Sequence, residues 1–505
     1  MPDRPNVVVI LSDQHRWDVM SCAGRAGIRT PHLDALAARG TRLSHACCTS
    51  PLCGPSRCSF WTGTHPHTNG GVTHQNERHR TRQRYRPELS PDVTPLPRLF
   101  RDAGYATHAI GYLGTHVFAG GKPVDGDPAF WGFETSGMRG GDYTDAVGKD
   151  VVRRYNLGNI KGEMWEPSYA NVEGEPFAYD ESRMWDRLMT DEAVRYLDAA
   201  DSDQPFLMYC GFRAPHTPWC APEKFHAMYD PDNPADVGPL PDFRYRHENK
   251  PRRLMERFDY FDIRHYRDDM VRRSIAGYFA MVSMVDAYVG EILAALDRNG
   301  MCDNTIVVFA GDHGENLYEH GLCEKHTLLE SSVRVPLIVA GPDLPGDGET
   351  SEELVSLLDV MPTLCRVAGL EPPGSVEGVD LRGALRGEAV RDDVRCEYYH
   401  TLDPCRMIRD ERFKYIHTED DICELYDLEQ DPFERVNLAW YPHYAGRIER
   451  MDREVMSDWE IPDVPLYAMW GDLNERKQKQ RLRGEEIIDT RPYAQPPFPP
   501  PPVDE

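Results

Sequence analysis

The chain has 505 residues, 40 % of them hydrophobic and 28 % charged, enough for one large domain and a smaller one with a substantial core. Its formal net charge of -26 excludes nucleic acid as the main partner, because a phosphate backbone demands a basic surface. Small anionic ligands stay compatible with it, since surface charge is screened beyond about 10 Å and a cleft can be locally cationic.

Met1 to Pro5 leads directly into an apolar run at Asn6, with no charged segment followed by a long apolar one, and no run approaches about 18 apolar residues. A cytoplasmic protein without a membrane segment is expected. Asn6 to Leu11 is apolar enough for a strand covered on both faces and ends in Ser12-Asp13-Gln14-His15. Thr30 and Pro31 predict a capped helix start, with Gly40 as its stop. A strand from Thr41 to Ala46 precedes Cys53-Gly54-Pro55-Ser56-Arg57 and Thr62-Gly63, a turn leading into a helix. Thirteen cysteines are scattered; Cys47, Cys48, Cys53 and Cys58 crowd together without zinc-knuckle or C-x-x-C spacing, so reduced thiols are expected. His65, His67, His74 and His79 lack the companion ligands of a zinc site and read as a solvated loop at a cleft rim.

Thr94 and Pro95 predict another helix start, stopped by Gly104. Three further strands end in polar clusters: Tyr105 to Ile110 before Gly111-Tyr112, Pro205 to Cys210 before Arg213-Ala214-Pro215-His216, and Asn304 to Ala310 before Gly311-Asp312-His313. Between the last two, a helix of about 30 residues closing at Asn299-Gly300 carries Ile275, Phe279, Val282, Val289, Ile292 and Leu296 at helical steps. This alternation predicts an α/β fold: a large, mostly parallel central sheet with helices on both faces, its site beyond the carboxyl ends of the strands. After residue 385, the runs Arg395 to His400, Cys405 to Ile408, Phe413 to His417 and Glu424 to Asp427, then a helix near Tyr444 to Trp459, predict a small C-terminal α+β domain with an antiparallel sheet. The boundaries are 1–384 for the catalytic domain, 385–490 for the subdomain and 491–505 for a proline-rich tail suited to contact with a second subunit in a homo-oligomer.

The pattern C-x-P-S-R at Cys53 to Arg57 resembles the signature of sulfatases, and the resemblance extends over about 400 positions. It takes in Asn6 to Gln14, Thr30 to Gly40, Pro215-His216, Gly311 to Glu315, Lys325 and Glu424 to Pro432, in the order found in the sulfatase branch of the alkaline-phosphatase-like superfamily. It implies that Cys53 is oxidised to formylglycine (3-oxoalanine) by a formylglycine-generating enzyme. One hydroxyl of its gem-diol then attacks sulfur, and the other collapses to the aldehyde and ejects sulfate. It further implies one divalent ion held by Asp13, Gln14, Asp312, His313 and the modified Cys53. Ca²⁺ is the ion common in the family, with Mn²⁺ or Mg²⁺ compatible with the donor set. Arg57 would orient the diol, and His216 and Lys325 would protonate or stabilise the leaving alkoxide. Lysine is scarce here, only nine in the chain, which makes Lys325 informative.

One departure stands out. Sulfatases carry Gly-Lys-x-His after the strand that ends at Ile110, where this chain reads Gly111-Tyr112-Leu113-Gly114-Thr115-His116. Tyr112 resembles the residue of phosphonate monoester hydrolases and phosphodiesterases of the same superfamily, which makes their reaction the alternative to sulfate ester hydrolysis. Tyr112, His116 and Asn76 are the candidate contacts to a small anionic ester, and the loops Gly120 to Lys161 and His226 to Arg267 the candidates for contact with its alcohol part.

Overall fold

The computed structural model describes residues 4–459 apart from 75–86, 125, 138–144, 149, 152–173, 202, 245–249, 262, 264–265, 347, 400–403 and 419–420. Asn76, His79 and the tail 491–505 lie outside the described residues. Among the described residues ten strands precede the C-terminal region: β1 Asn6–Asp13, β2 Thr41–Cys47, β3 Ala106–Gly111, β4 Phe118–Ala119, β5 Lys122–Pro123, β6 Thr135–Ser136, β7 Phe206–Pro215, β8 Thr305–Gly311, β9 Leu337–Ala340 and β10 Thr350–Ser356. Eight of them form one sheet in the order β10-β2-β9-β8-β1-β7-β3-β6, while β4 and β5 pair as a separate ribbon. Within the eight-stranded sheet only β9 runs antiparallel to its neighbours, the other pairs being parallel, and the β4–β5 ribbon is antiparallel. The four strands whose ends carry polar clusters are thus adjacent, as β8-β1-β7-β3.

Both faces of this sheet are covered, which explains why Val7 to Leu11 are apolar at every position and fully buried. Val8, Ile10, Met208, Val307 and Phe309 face a core built with Phe279, Val282, Val289 and Ile292 of the long helix Asp268–Arg298. Val7, Val9, Leu11, Tyr209, Ile306 and Val308 face a second core with Phe60 and Trp61 of the helix Cys53–Thr62. The long helix is apolar enough by composition to cross a membrane, yet 78 % of its most apolar stretch is buried inside the protein. It is a core helix of the sheet.

Thr30 does precede the helix Pro31–Arg39, but its side chain does not cap it. Asp286, from the long helix, accepts instead from the backbone N–H groups of His32 (3.0 Å) and Leu33 (2.7 Å). Thr30 Oγ1 takes the Ser21 N–H at 2.8 Å. The helix expected to start at Thr94-Pro95 begins one residue later, at Leu96, with Pro95 as its cap.

In the C-terminal region β11 Val394–Tyr398, β12 Cys405–Arg409, β13 Phe413–Thr418 and β14 Glu424–Asp427 form an antiparallel sheet in chain order. One face packs Ile408, Phe413, Tyr415 and Leu425 against Met451 and Val455 of the helix Ala445–Met456. The other lends Val394, Cys396, Met407 and Ile416 to the second core of the large sheet. It also grips the segment after Lys325: the His326 ring bonds Tyr398 Oη at 2.6 Å, and Lys414 Nζ lies 2.8 Å from Glu330 and 2.7 Å from Glu434. All thirteen cysteines are free thiols.

Candidate active site

Parallel strands align their carboxyl ends, so the residues just past those ends meet at one edge of the sheet. In the β1/β8 pair Ser12 lies opposite Gly311, and the Asp312 N–H donates to the Ser12 carbonyl at 3.2 Å. This brings Asp13 and Asp312, remote in sequence, side by side. Gln14 then takes a left-handed backbone (φ 64°), its N–H donating to Asp312 Oδ1 (2.9 Å) and its carbonyl accepting from Tyr278 Oη (2.7 Å).

Asp13, Cys53, Asp312 and His313 each offer one donor atom, and these four atoms lie within 4.8 Å of one another. All four residues are buried. His313 Nε2 is 3.1 Å from Cys53 Sγ and 3.7 Å from an oxygen of each aspartate. Its Nδ1 is 3.0 Å from the Gly314 carbonyl, which places the proton on Nδ1 and leaves a lone pair on Nε2 facing the cluster. Burial lowers the pKa of this ring, keeping it in the neutral form a metal requires. Two carboxylate oxygens, a thiol position and one imidazole nitrogen suit a hard or borderline divalent ion.

Cys53 is the first residue of the helix Cys53–Thr62. Ser56 Oγ donates to the Asp312 carbonyl (2.6 Å), tying this helix to the end of β8. Gly54 has no room for a side chain: a Cβ would stand 2.8 Å from both His74 Cδ2 and the Thr115 carbonyl oxygen. Burial, then the charge of Asp13, pushes the Cys53 thiol far above its usual range. An unmodified Cys53 is therefore a protonated, poor nucleophile at neutral pH.

Arg57 is fully buried, and its N–H groups have partners on all sides. Nε donates to Asp312 Oδ2 (2.8 Å), Nη2 to Asp13 Oδ2 (3.0 Å), and Nη1 to the Tyr112 carbonyl (2.7 Å) and Tyr209 Oη (2.8 Å). It holds the two aspartates by one oxygen each and leaves the other oxygens for the cluster. Its hydrogen bonds thus run to the two carboxylates, the Tyr112 carbonyl and the Tyr209 hydroxyl.

Lys325 Nζ donates to Gln14 Oε1 at 2.7 Å and lies 3.5 Å from Cys53 Sγ. Burial opposes its charge, but Cys53, Asp13, Glu324 and Asp312 together hold its pKa above the ordinary lysine value. His216 sits half-buried past the end of β7 with Nδ1 2.7 Å from the Thr217 carbonyl. Burial, followed by the charges of Lys325 and Arg213, holds its ring well below the usual range, hence neutral. The buried Asp186 steadies this loop by accepting from the N–H groups of Arg213 (2.8 Å) and Ala214 (3.1 Å).

Tyr112 stacks over the Arg57 guanidinium, 4.8 Å from ring centre to carbon, and its Oη bonds His116 Nε2 at 2.7 Å. The His116 ring lies 4.4 Å from that of His74, which accepts the Gly54 N–H at 2.9 Å, so these three residues line the start of the Cys53 helix. The histidine-rich stretch does not behave as one solvated loop. His74 belongs to the site, whereas His65 and His67 are packed against the buried carboxylate of Glu397 on β11, with His67 Nδ1 at 2.6 Å. Sequence reasoning missed His74, Asp186, Tyr209 and Glu315 as site-building residues. For Glu315 a signal existed, its place directly after Asp312-His313-Gly314; for Asp186 and Tyr209 there was none.

A family model described as Sulfatase matches residues 5–370, and one described as N-sulphoglucosamine sulphohydrolase, C-terminal, matches residues 318–459. The choline-sulfatase of Rhizobium meliloti is 31 % identical over 459 residues, spanning 87 % of this chain and 83 % of that protein. A sulfatase of Formosa agariphila is 29 % identical over 464 residues, spanning 89 % and 86 %. In fold, the phosphonate monoester hydrolase of Agrobacterium radiobacter matches with a TM-score of 0.73 at 24 % identity, covering 90 % of this chain and 95 % of that one. With the family model covering most of the chain and the signature cysteine seated among two aspartates and a histidine, this protein belongs to the sulfatase family of sulfuric ester hydrolases.

Proposed function

We propose that this protein hydrolyses a sulfate monoester using a formylglycine made from Cys53 and one divalent cation. The observation that carries this reading is the buried cluster of Asp13, Cys53, Asp312 and His313 donor atoms, all within 4.8 Å, with Cys53 at a helix start. Asp13, Gln14, Asp312 and His313 would hold the ion, with the modified residue 53 as a further oxygen ligand. When bound, the ion and the aldehyde hydrate would supply an oxygen nucleophile at neutral pH and polarise the sulfuryl group. Ca²⁺, Mn²⁺ and Mg²⁺ all satisfy this donor set.

The protein's own residues have definable tasks. Arg57 clamps the aspartates by one oxygen each, so that their other oxygens converge. Lys325 keeps a fixed positive charge 3.5 Å from Sγ of residue 53, where negative charge gathers. His216, neutral in its loop, would exchange a proton with the alcohol side of the ester. Charge favours a monoanionic ester: Asp13 and Asp312 are already balanced by Arg57 and Lys325. A divalent ion would then leave positive charge for one ionised hydroxyl and one singly charged substrate.

Phosphonate monoesters and phosphodiesters are also monoanions, and Tyr112 at the position expected for a sulfate-binding lysine favours them as the second reading. An intact nucleophile, ligand set, Arg57, His216 and Lys325 argue against an inactive scaffold. Maturation would require a formylglycine-generating enzyme, and we place the protein in the cytoplasm. The test pairs peptide mass spectrometry at residue 53 with turnover of an aryl sulfate, phenylphosphonate and a bis-aryl phosphate, after chelation and after return of each cation. An aldehyde at residue 53 and a preference for the sulfate are expected. Unmodified Cys53 in active protein overturns the nucleophile, and a large preference for phosphorus esters overturns the substrate.

A further inference from the structure

Glu315 is completely buried and stands two residues beyond His313. Its Oε1 accepts from two backbone N–H groups, Leu317 at 2.9 Å and Glu324 at 2.6 Å, the second being the residue before Lys325. Its Oε2 accepts from Nε2 of the Gln14 amide. The other end of that amide, Oε1, receives Lys325 Nζ at 2.7 Å. A glutamine amide has two ends of nearly equal size and opposite polarity, and its orientation is decided by its partners. We propose that Glu315 is a positioning residue which dictates that the Gln14 oxygen, not its nitrogen, faces Lys325 and the Asp13–Asp312 cluster, while the same carboxylate anchors the approach to Lys325. This rests on the reading of Gln14 as a ligand of the proposed cation.

The chemistry makes a sharp demand on variants. In E315Q the new amide keeps its oxygen on the two backbone donors, because turning it over would set its N–H₂ against both. Its nitrogen then faces Gln14 Nε2, donor against donor, and the Gln14 amide is driven to turn over and show N–H₂ to Lys325 and the cluster. In Q14E two carboxylates face each other at the Glu315 contact. In the double variant Q14E/E315Q the carboxylate at position 14 accepts from the amide at position 315 on one side and from Lys325 on the other, restoring every donor–acceptor match.

The test is a double-mutant cycle read in two ways: thermal stability of the chelator-treated protein, and affinity for Ca²⁺ or Mn²⁺ by competition with a fluorescent chelator. Residues that orient a metal ligand are worth about 10–100-fold in affinity. E315Q is expected to lose that much, with the double variant regaining most of it, and the melting temperatures are expected to follow the same non-additive pattern without cation. Additive effects in the metal-free cycle overturn the proposal, whatever the cation result. A wild-type protein that binds no divalent cation overturns the ligand reading instead, and the metal-free cycle still decides the orientation of Gln14.

Discussion

Replacing Arg57 by methionine tests the electrostatic design of the site. Arg57 is fully buried and bonds Asp13 Oδ2 at 3.0 Å and Asp312 Oδ2 at 2.8 Å. R57M keeps most of the volume but leaves two buried carboxylates facing each other without their shared cation. Breaking one partner out of a buried ion pair costs about 3–5 kcal/mol. Unfolding entropy scales at about 2.1 cal/mol/K per residue, so over a 505-residue chain each kcal/mol lowers the melting temperature by about 1 °C. A drop of about 3–5 °C is therefore expected by calorimetry in the presence of a chelator. Because a divalent cation at the free oxygens compensates the same two charges, excess Ca²⁺ or Mn²⁺ should narrow the gap between variant and wild type. R57K should fall between them, since one ammonium cannot reproduce the fork that spans both aspartates. If R57M in chelator melts within about 1 °C of wild type, the guanidinium is not what holds these carboxylates, and the reasoning is wrong.

Three further outcomes follow from the structure. Hydrogen bonding to Cys423, against the effect of burial and helped by Asp452 at 2.8 Å, pushes the His417 ring up to about 9. Its folded pKa exceeds the unfolded value of about 6.5, so its stabilisation is complete below about pH 6.5 and is lost as pH rises through about 9. Melting curves of H417Q should accordingly differ most from wild type near pH 6, by at most about 3 kcal/mol, and converge by about pH 10; a constant gap contradicts this. Of the three half-exposed cysteines, Cys22, Cys302 and Cys423, the last has a thiol held below its usual range by His417 and Tyr415 despite burial, whereas burial pushes Cys22 up to about 12. Iodoacetamide at pH 7.5 should alkylate Cys423 before Cys22, as read by peptide mass spectrometry; equal rates for the two would refute the assignment. Finally, Y112F retains the ring over Arg57 but deletes the bond to His116, a loss of about 0.5–1.5 kcal/mol. Because Tyr112 is a candidate contact to the ester, and one such hydrogen bond is worth a similar amount, steady-state kinetics should show KM for an aryl sulfate rising about 2–12-fold with kcat little changed, and an unchanged KM removes Tyr112 from the substrate site.

The amino-acid sequence by itself determined the architecture and the chemical inventory. Strands covered on both faces must be apolar at each position, which made Val7 to Leu11 and Ile306 to Phe309 legible, and four such strands ending in polar residues located the edge where the site forms. The short strands after residue 390 were legible from the turns that separate them, with boundaries right to within two residues. Cys53, Asp13, Asp312, His313 and Lys325 were visible because their residue types are rare in those settings and their order is that of the family. Only the tertiary structure decided what each charge does. Arg57 clamps aspartates 44 and 255 positions away, Glu315 orients an amide 301 positions away, and Asp286 caps a helix more than 250 positions earlier. Local spacing encodes periodicity and turns. Whether a buried carboxylate binds, orients or caps depends on which donors the folded chain brings within about 3 Å, and in parallel sheets those donors arrive from strands distant in sequence.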